Sequence, residues 1–205
     1  SPTGKTYGAA ITEYNMAGQG LADGNNELFR TNYNAAFAAT VIINAAKAQA
    51  EFMNFFILAQ QGANHLGLLD YEHNWEPFKP YYTFHLFGNH TGTRYVTGSQ
   101  PENNIDYLAS KSDDGKVLYL IAVNKDVANT QTVTFQLPTS LSGNYHQYVL
   151  DSTTNPLTGT QLAYTNGTIS YDLPPTSLVA FDINLTGEPI ASPSPTIPPT
   201  PTTVP

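Results

Sequence analysis

Residues 8–18 read "GAAITEYNMAG", an apolar run that stops at a carboxylate, Glu13, with Tyr14 and Asn15 directly behind it. Small and β-branched apolar residues without strict alternation describe a strand covered on both faces, as in a parallel sheet, and the run predicts one over Tyr7–Thr12. Glu13 then stands at the C-terminal mouth of that strand. In α/β architectures ligands and reactive groups gather at this mouth, because the loops vary while the sheet holds their roots. The plainer reading of the same pattern is an exposed acid that closes a strand.

Outward from this stretch, Phe29–Gln49 carries Phe29, Tyr33, Phe37, Val41 and Ile42 at helical spacing among many alanines, which predicts a helix packed on a sheet. Phe52–Ala59 is apolar apart from Asn54 and predicts a second parallel strand, so that strand, helix and strand form a right-handed crossover. After the loop "GANHLGLLDYEHNWEPFKP", Tyr81–His90 reads as a further helix opening behind Pro80. Beyond Gly92 the pattern changes to short strands: Thr93–Thr97, Ile105–Ser110, Val117–Asn124, Thr130–Leu137, Tyr145–Asp151, Gln161–Tyr164, Thr168–Leu173 and Ser177–Asn184. Turn signals such as "DDGK", "LSGN" and "TNG" separate them. Short strands at this spacing make an antiparallel β-sandwich. The fold expectation is therefore α/β plus all-β, with an α/β portion over 1–92, a sandwich over 93–186 and a Pro/Thr-rich linker over 187–205.

Composition narrows the ligand. The chain has 205 residues, a net charge of −8, only 12% charged residues and 13 tyrosines. A surface built from Asn, Thr, Ser, Gln and Tyr suits neutral polyhydroxylated ligands, whereas the acidic balance repels a nucleic-acid backbone. There is no cysteine, so disulfides and thiolate metal sites are excluded. No apolar run approaches the roughly 20 residues of a membrane span, and the N-terminus lacks a signal-peptide pattern. Ser1 opens only a few residues ahead of the first strand and is read as an internal point of a longer polypeptide. The tail "GEPIASPSPTIPPTPTTVP" has almost nothing to bury and reads as an extended linker to a further module or anchor, typical of secreted, extracellular proteins; a plain disordered tail is the alternative.

Taken together, "AAITEYNMAG", the Ala-rich helix, "FMNFFILAQQ", "KPYYTFHLFGNHTG" and the closing "LPPTSLVAFDINL" resemble the C-terminal part of a clan A retaining glycoside hydrolase. The order is similar to family 51, the α-L-arabinofuranosidases and some endoglucanases, with families 39 and 44 close behind. The resemblance implies the last strand-helix units of a (β/α)8 barrel followed by a β-sandwich. It implies Glu13 as the catalytic nucleophile at the seventh barrel strand and Phe52–Ala59 as the eighth strand. Tyr14 stands where family 51 more often has Trp, and "ITEYN" is closer to family 44, which leaves the substrate class open. The implied substrate is a plant-type polysaccharide or oligosaccharide, the implied partner is the missing N-terminal barrel half of the same polypeptide, and no cofactor is implied.

A retaining glycosidase needs one ionised carboxylate to attack the anomeric carbon and a protonated carboxyl about 5–5.5 Å away. A Tyr or Asn donor beside Glu13 would keep it anionic. The second carboxyl is not expected in this chain, which predicts that the chain alone is inactive. The single Asn-Glu pair, Asn26 and Glu27, reads as the acidic start of a helix. Tyr14, Asn15, Gln60, Gln61, Tyr71 and Trp75 are expected to bind substrate, with Asn64 and His65 as further polar groups near the mouth. Trp75 has the alternative role of an aromatic anchor between the two portions. The cluster "DYEHNWE" lacks the spacing of a metal site, and none is expected. His85, His90 and His146 read as helix-face or strand-surface residues. Asn89, Asn166 and Asn184 lie in glycosylation sequons. The alternative function is a non-catalytic carbohydrate-binding or cell-surface module.

Overall fold

The structure, a computed structural model, describes residues 8–16, 26–59, 66–99 and 104–186. It is mostly sheet with two helices. β1 (Ala10–Tyr14) and β2 (Phe52–Phe55) pair in parallel and are joined through a 3-10 turn (Asn26–Arg30) and helix α1 (Asn32–Lys47). A short hairpin, β3 (Leu69–Asp70) and β4 (Glu76–Pro77), leads into helix α2 (Lys79–Asn89). Eight strands follow: β5 (Arg94–Val96), β6 (Ile105–Lys111), β7 (Val117–Asn124), β8 (Gln131–Gln136), β9 (Gly143–Leu150), β10 (Thr160–Tyr164), β11 (Thr168–Leu173) and β12 (Leu178–Asn184).

Six of these form one antiparallel sheet in the order β10-β9-β12-β7-β6-β5, and β11 pairs with β8 across its second face. The two-residue period of a strand divides each central strand between two cores. Leu118, Leu120 and Ala122 of β7 and Val179, Phe181 and Ile183 of β12 meet Val133 of β8 and Ile169 and Leu173 of β11. Ile121, Val123, Leu178 and Ala180 face the other way, onto Ala35, Ala36, Ala39 and Ile43 of α1 and Tyr82, Leu86 and Phe87 of α2. Alanines on α1 let the helices lie close, and the Thr83 hydroxyl reaches the Ala35 carbonyl at 3.0 Å. Helices, six-stranded sheet and β8–β11 pair are therefore three layers around two cores.

The chain departs locally from the expected elements. The first helix does not run from Phe29, because Thr31 adopts an extended conformation, accepts the Tyr33 N–H and restarts the chain as α1 behind the 3-10 turn. β2 ends at Phe55 rather than Ala59, and the following Phe56–Ile57 peptide bond is cis. From there the chain pairs with the returning segment instead: Leu68 N–H and Leu69 N–H donate to Leu58 O, both at 3.0 Å. Nor are β1 and β2 buried on both faces. Phe52 is 51% exposed; among the described residues the sheet has two strands, and α2 meets it through Phe84 on Phe55, on the opposite side.

His90 and His146 are buried, not surface residues. His90 caps α2 and places Nδ1 at 3.0–3.1 Å from both Asp182 oxygens on β12, under the ring of Tyr148 at 3.9 Å. A carboxylate in an apolar layer is tolerated because an imidazole 92 positions away meets it. Removing one partner strands the other. His90→Ala should destabilise the fold by about 3 kcal/mol in urea unfolding, with the double change His90→Leu, Asp182→Leu recovering much of that loss.

Candidate functional site

The end of β1 carries a bulge. Ile11 is opposite Met53 and Tyr14 is opposite Phe55, so Thr12 and Glu13 together oppose the single residue Asn54. The extra residue re-aims the side chains: Thr12 and Glu13 are both exposed, while Ile11 and Tyr14 are half-buried. Glu13 thus lies inside the strand at a bulge, one residue before its end, rather than past it. Its carboxylate reaches open solvent on the exposed side of the two-stranded sheet, with no hydrogen bond to it among the described residues.

The two side chains expected to hold Glu13 anionic are engaged elsewhere. Tyr14 turns onto Phe55, edge to face at 5.4 Å, and Phe55 meets Phe84 of α2 at 5.3 Å in the same way. The Tyr14 hydroxyl is buried without a partner among the described residues, and that burial drives its pKa well above the tyrosine range, so it stays neutral. Asn15 donates through Nδ2 to the Phe56 and Leu66 carbonyls, the latter at 2.9 Å, and its Oδ1 accepts the Met16 N–H at 2.6 Å.

Tyr71 and Trp75 are brought together on the β3–β4 hairpin. They stand edge to face at 4.9 Å and remain 47% and 45% exposed, so Trp75 is not a buried anchor between layers. The hairpin is shaped by Asp70. Its Oδ1 accepts the Glu72 and His73 N–H groups at 3.0 and 3.2 Å, its Oδ2 lies 2.9 Å from His73 Nδ1, and its carbonyl accepts the Trp75 N–H. Asn74 and Trp75 both adopt positive φ, +56° and +61°, a conformation that bulky residues avoid unless the surroundings enforce it. That turn swings the indole onto Tyr71. Gln60, Gln61, Asn64 and His65 lie outside the described residues.

Neither the bulge nor the Asn15 clamp has a local sequence signature. The Asp70 turn does: an Asp followed by free N–H groups two and three residues on is a self-capping turn. No group of three or more metal-ligating side chains occurs among the described residues, and no helix among them is long and apolar enough to cross a membrane.

No protein-family profile matches the sequence, and no curated protein sequence matches it. Solved structures do. The chain superposes on a glycoside hydrolase family 30 subfamily 8 xylanase from Clostridium acetobutylicum with TM-score 0.66 at 17% identity, covering 86% of this chain and 42% of the xylanase. An α-L-arabinofuranosidase from Thermotoga maritima matches with TM-score 0.59 at 20% identity, over 76% of this chain and 39% of the enzyme. A family 44 xyloglucanase from Paenibacillus polymyxa matches with TM-score 0.63 at 16% identity, over 86% of this chain and 32% of the enzyme. At these identities the likeness shows a shared fold, and the chain spans less than half the length of each of these proteins.

The Asp70 hairpin should respond to acid. Burial pulls the Asp70 carboxyl up, but the His73 side chain, the Glu72 N–H, the His73 charge and the His73 N–H outweigh it and hold the pKa below 3.8. A folded-state pKa below the unfolded one contributes stability in full above 3.8 and loses it as pH falls through the folded value. The protection of the Glu72 and His73 amides, taken relative to the intrinsic exchange rate at each pH, should therefore fall on acidification below that point, and Asp70→Asn should flatten the dependence.

Proposed function

We propose that these residues are the C-terminal part of a secreted, clan A retaining glycoside hydrolase acting on plant-type polysaccharide, arabinofuranosidase- or endoglucanase-like, with Glu13 as the nucleophile. The observation that carries this reading is the parallel β1–β2 pair, crossed over through α1, with Glu13 presented at a bulge on its uncovered side. The fold likeness to three glycoside hydrolases supports it. In this reading residues 1–92 complete a (β/α)8 barrel begun by the missing N-terminal half, residues 93–186 are a β-sandwich accessory domain, and 187–205 link to a further module outside the cell. Exposed Phe52, Phe56 and Leu58 are surfaces that the rest of a barrel would cover.

The chemistry follows from the carboxylate. Ionised Glu13 attacks the anomeric carbon to form a glycosyl-enzyme, a second carboxyl from the missing half protonates the departing oxygen, and the same group then activates water to release the sugar. Tyr71 and Trp75 offer exposed aromatic faces for stacking on sugar rings, and Gln60 and Gln61 are proposed hydrogen-bonding partners of the hydroxyls. That exposed pair also favours the second reading, a non-catalytic carbohydrate-binding module in which Glu13 is idle.

Turnover of Glu13 variants in the full-length polypeptide separates these readings. In the full-length polypeptide Glu13→Gln should lower turnover by several orders of magnitude with little loss of thermal stability, and azide should partly restore turnover of an activated substrate in Glu13→Ala. The 205-residue chain alone should hydrolyse nothing, since one carboxylate does not serve both roles. Near-normal turnover by Glu13→Gln would make Glu13 an acid that merely closes a strand and would remove the nucleophile assignment.

A further inference from the structure

Asn15 was expected to touch substrate, yet both of its N–H donors and one acceptor position are already in use. Nδ2 holds the carbonyls of Phe56 and Leu66, and Oδ1 holds the Met16 N–H at 2.6 Å. Those carbonyls belong to two different passes of the chain. Phe56 leaves β2, and its N–H is also held, by Tyr14 O at 2.8 Å. Leu66 returns toward β3. The two passes are then zipped together, since Leu68 N–H donates to Ile57 O and Leu58 O, and Leu69 N–H to Leu58 O, all at 3.0 Å. Phe78 N–H closes the far side of the hairpin onto Leu68 O at 2.9 Å.

One amide thus sits where three segments meet: the end of β1 two residues past Glu13, the exit of β2, and the root of the hairpin that carries Tyr71 and Trp75. The geometry points to Asn15 as a positioning residue, which fastens the aromatic hairpin to the bulged strand and so sets where the Tyr71–Trp75 pair stands relative to the Glu13 carboxylate. It binds no sugar itself. An ionised carboxylate of the same shape has no donor for either carbonyl. This inference rests on the catalytic reading of Glu13 for its kinetic consequences, while the clamp itself is independent of that reading.

The clamp is tested on the 205-residue chain. Asn15→Ala should speed amide exchange at Leu68 and Leu69 while the β12 amides, which report global folding, keep their protection. The positioning role is tested in the full-length polypeptide with two substrates, an activated aryl glycoside that fills only the reacting-sugar position and an oligosaccharide long enough to reach the aromatic pair. Asn15→Ala should raise KM for the long substrate by about tenfold and leave kcat on the short one within about threefold. Asn15→Asp keeps the acceptor for Met16 but turns a charge on two carbonyl oxygens, which raises its pKa. Protonation returns one O–H donor, so its defect relative to the parent should shrink as pH is lowered. Equal losses on short and long substrates would make Asn15 part of the reacting-sugar site and overturn the proposal. Unchanged exchange at Leu68 and Leu69 would overturn the clamp itself. Active Glu13→Gln would instead remove the catalytic reading and leave the exchange result standing.

Discussion

β12 is hydrogen bonded along both edges, to β7 and to β9, and buried on both faces. Every other layer is placed by what that strand presents. Its Val179, Phe181 and Ile183 call for the β8–β11 pair, and Leu178 and Ala180 call for the helices. Asp182 falls on the helix side by the same alternation, and His90 satisfies it. The end of α2 is therefore located by a polar contact and its length by apolar ones. From α2 the constraint passes through Phe84 to Phe55 and Tyr14, and so to the strand that carries Glu13. A side chain at the edge of the two-stranded sheet is oriented by the packing of the six-stranded one.

Sequence pattern resolved this molecule where one local signal sufficed. β7 and β11 have the bounds expected from their apolar runs and flanking turns, and β12 differs by one residue. Accuracy fell wherever a distant group decides the outcome. Helical spacing runs unbroken across Arg30 and Thr31, yet the hydroxyl of Thr31 and the Asn32 side chain, held by Thr176 at 2.9 Å to its carbonyl, fix a new start there. The apolar run at Phe52–Ala59 looks like one long strand because periodicity does not record where a partner ends. The short β3–β4 hairpin contains two residues per strand, too few to show any period, and is held by the Asp70 turn instead.

The site divides along the same line. That a carboxylate stands near the end of the first strand is visible in "AAITEYN"; that the strand bulges there, putting Thr12 and Glu13 on the same side, depends on register with β2. Tyr14 and Asn15 were attractive partners for Glu13 by adjacency alone. Adjacent strand residues face opposite ways, and the one rule that brings neighbours to the same side, the bulge, brought Thr12 instead.

The second sheet has a consequence for handling this polypeptide. Among the described residues β8 is paired on one side only, with β11, and a cavity of about 480 Å³ runs beside it, bounded by Val96–Ser99 and floored by Ile105, Leu118 and Leu120. Three polar side chains of β8 are already hydrogen bonded: Thr132 to Asp172, Thr134 to Ser170 and Gln131 to Asp126. The gap is lined by apolar residues such as Ile105, Leu118, Leu120 and Phe135 and by the Thr and Gln residues of β8 between them. "QTVTFQ" has no charge, no proline and no bulge, the devices by which edge strands discourage addition of another chain. Left uncovered, a hexapeptide edge of this composition favours addition of a strand from a second molecule, which makes β8 an edge to protect when the chain is handled alone.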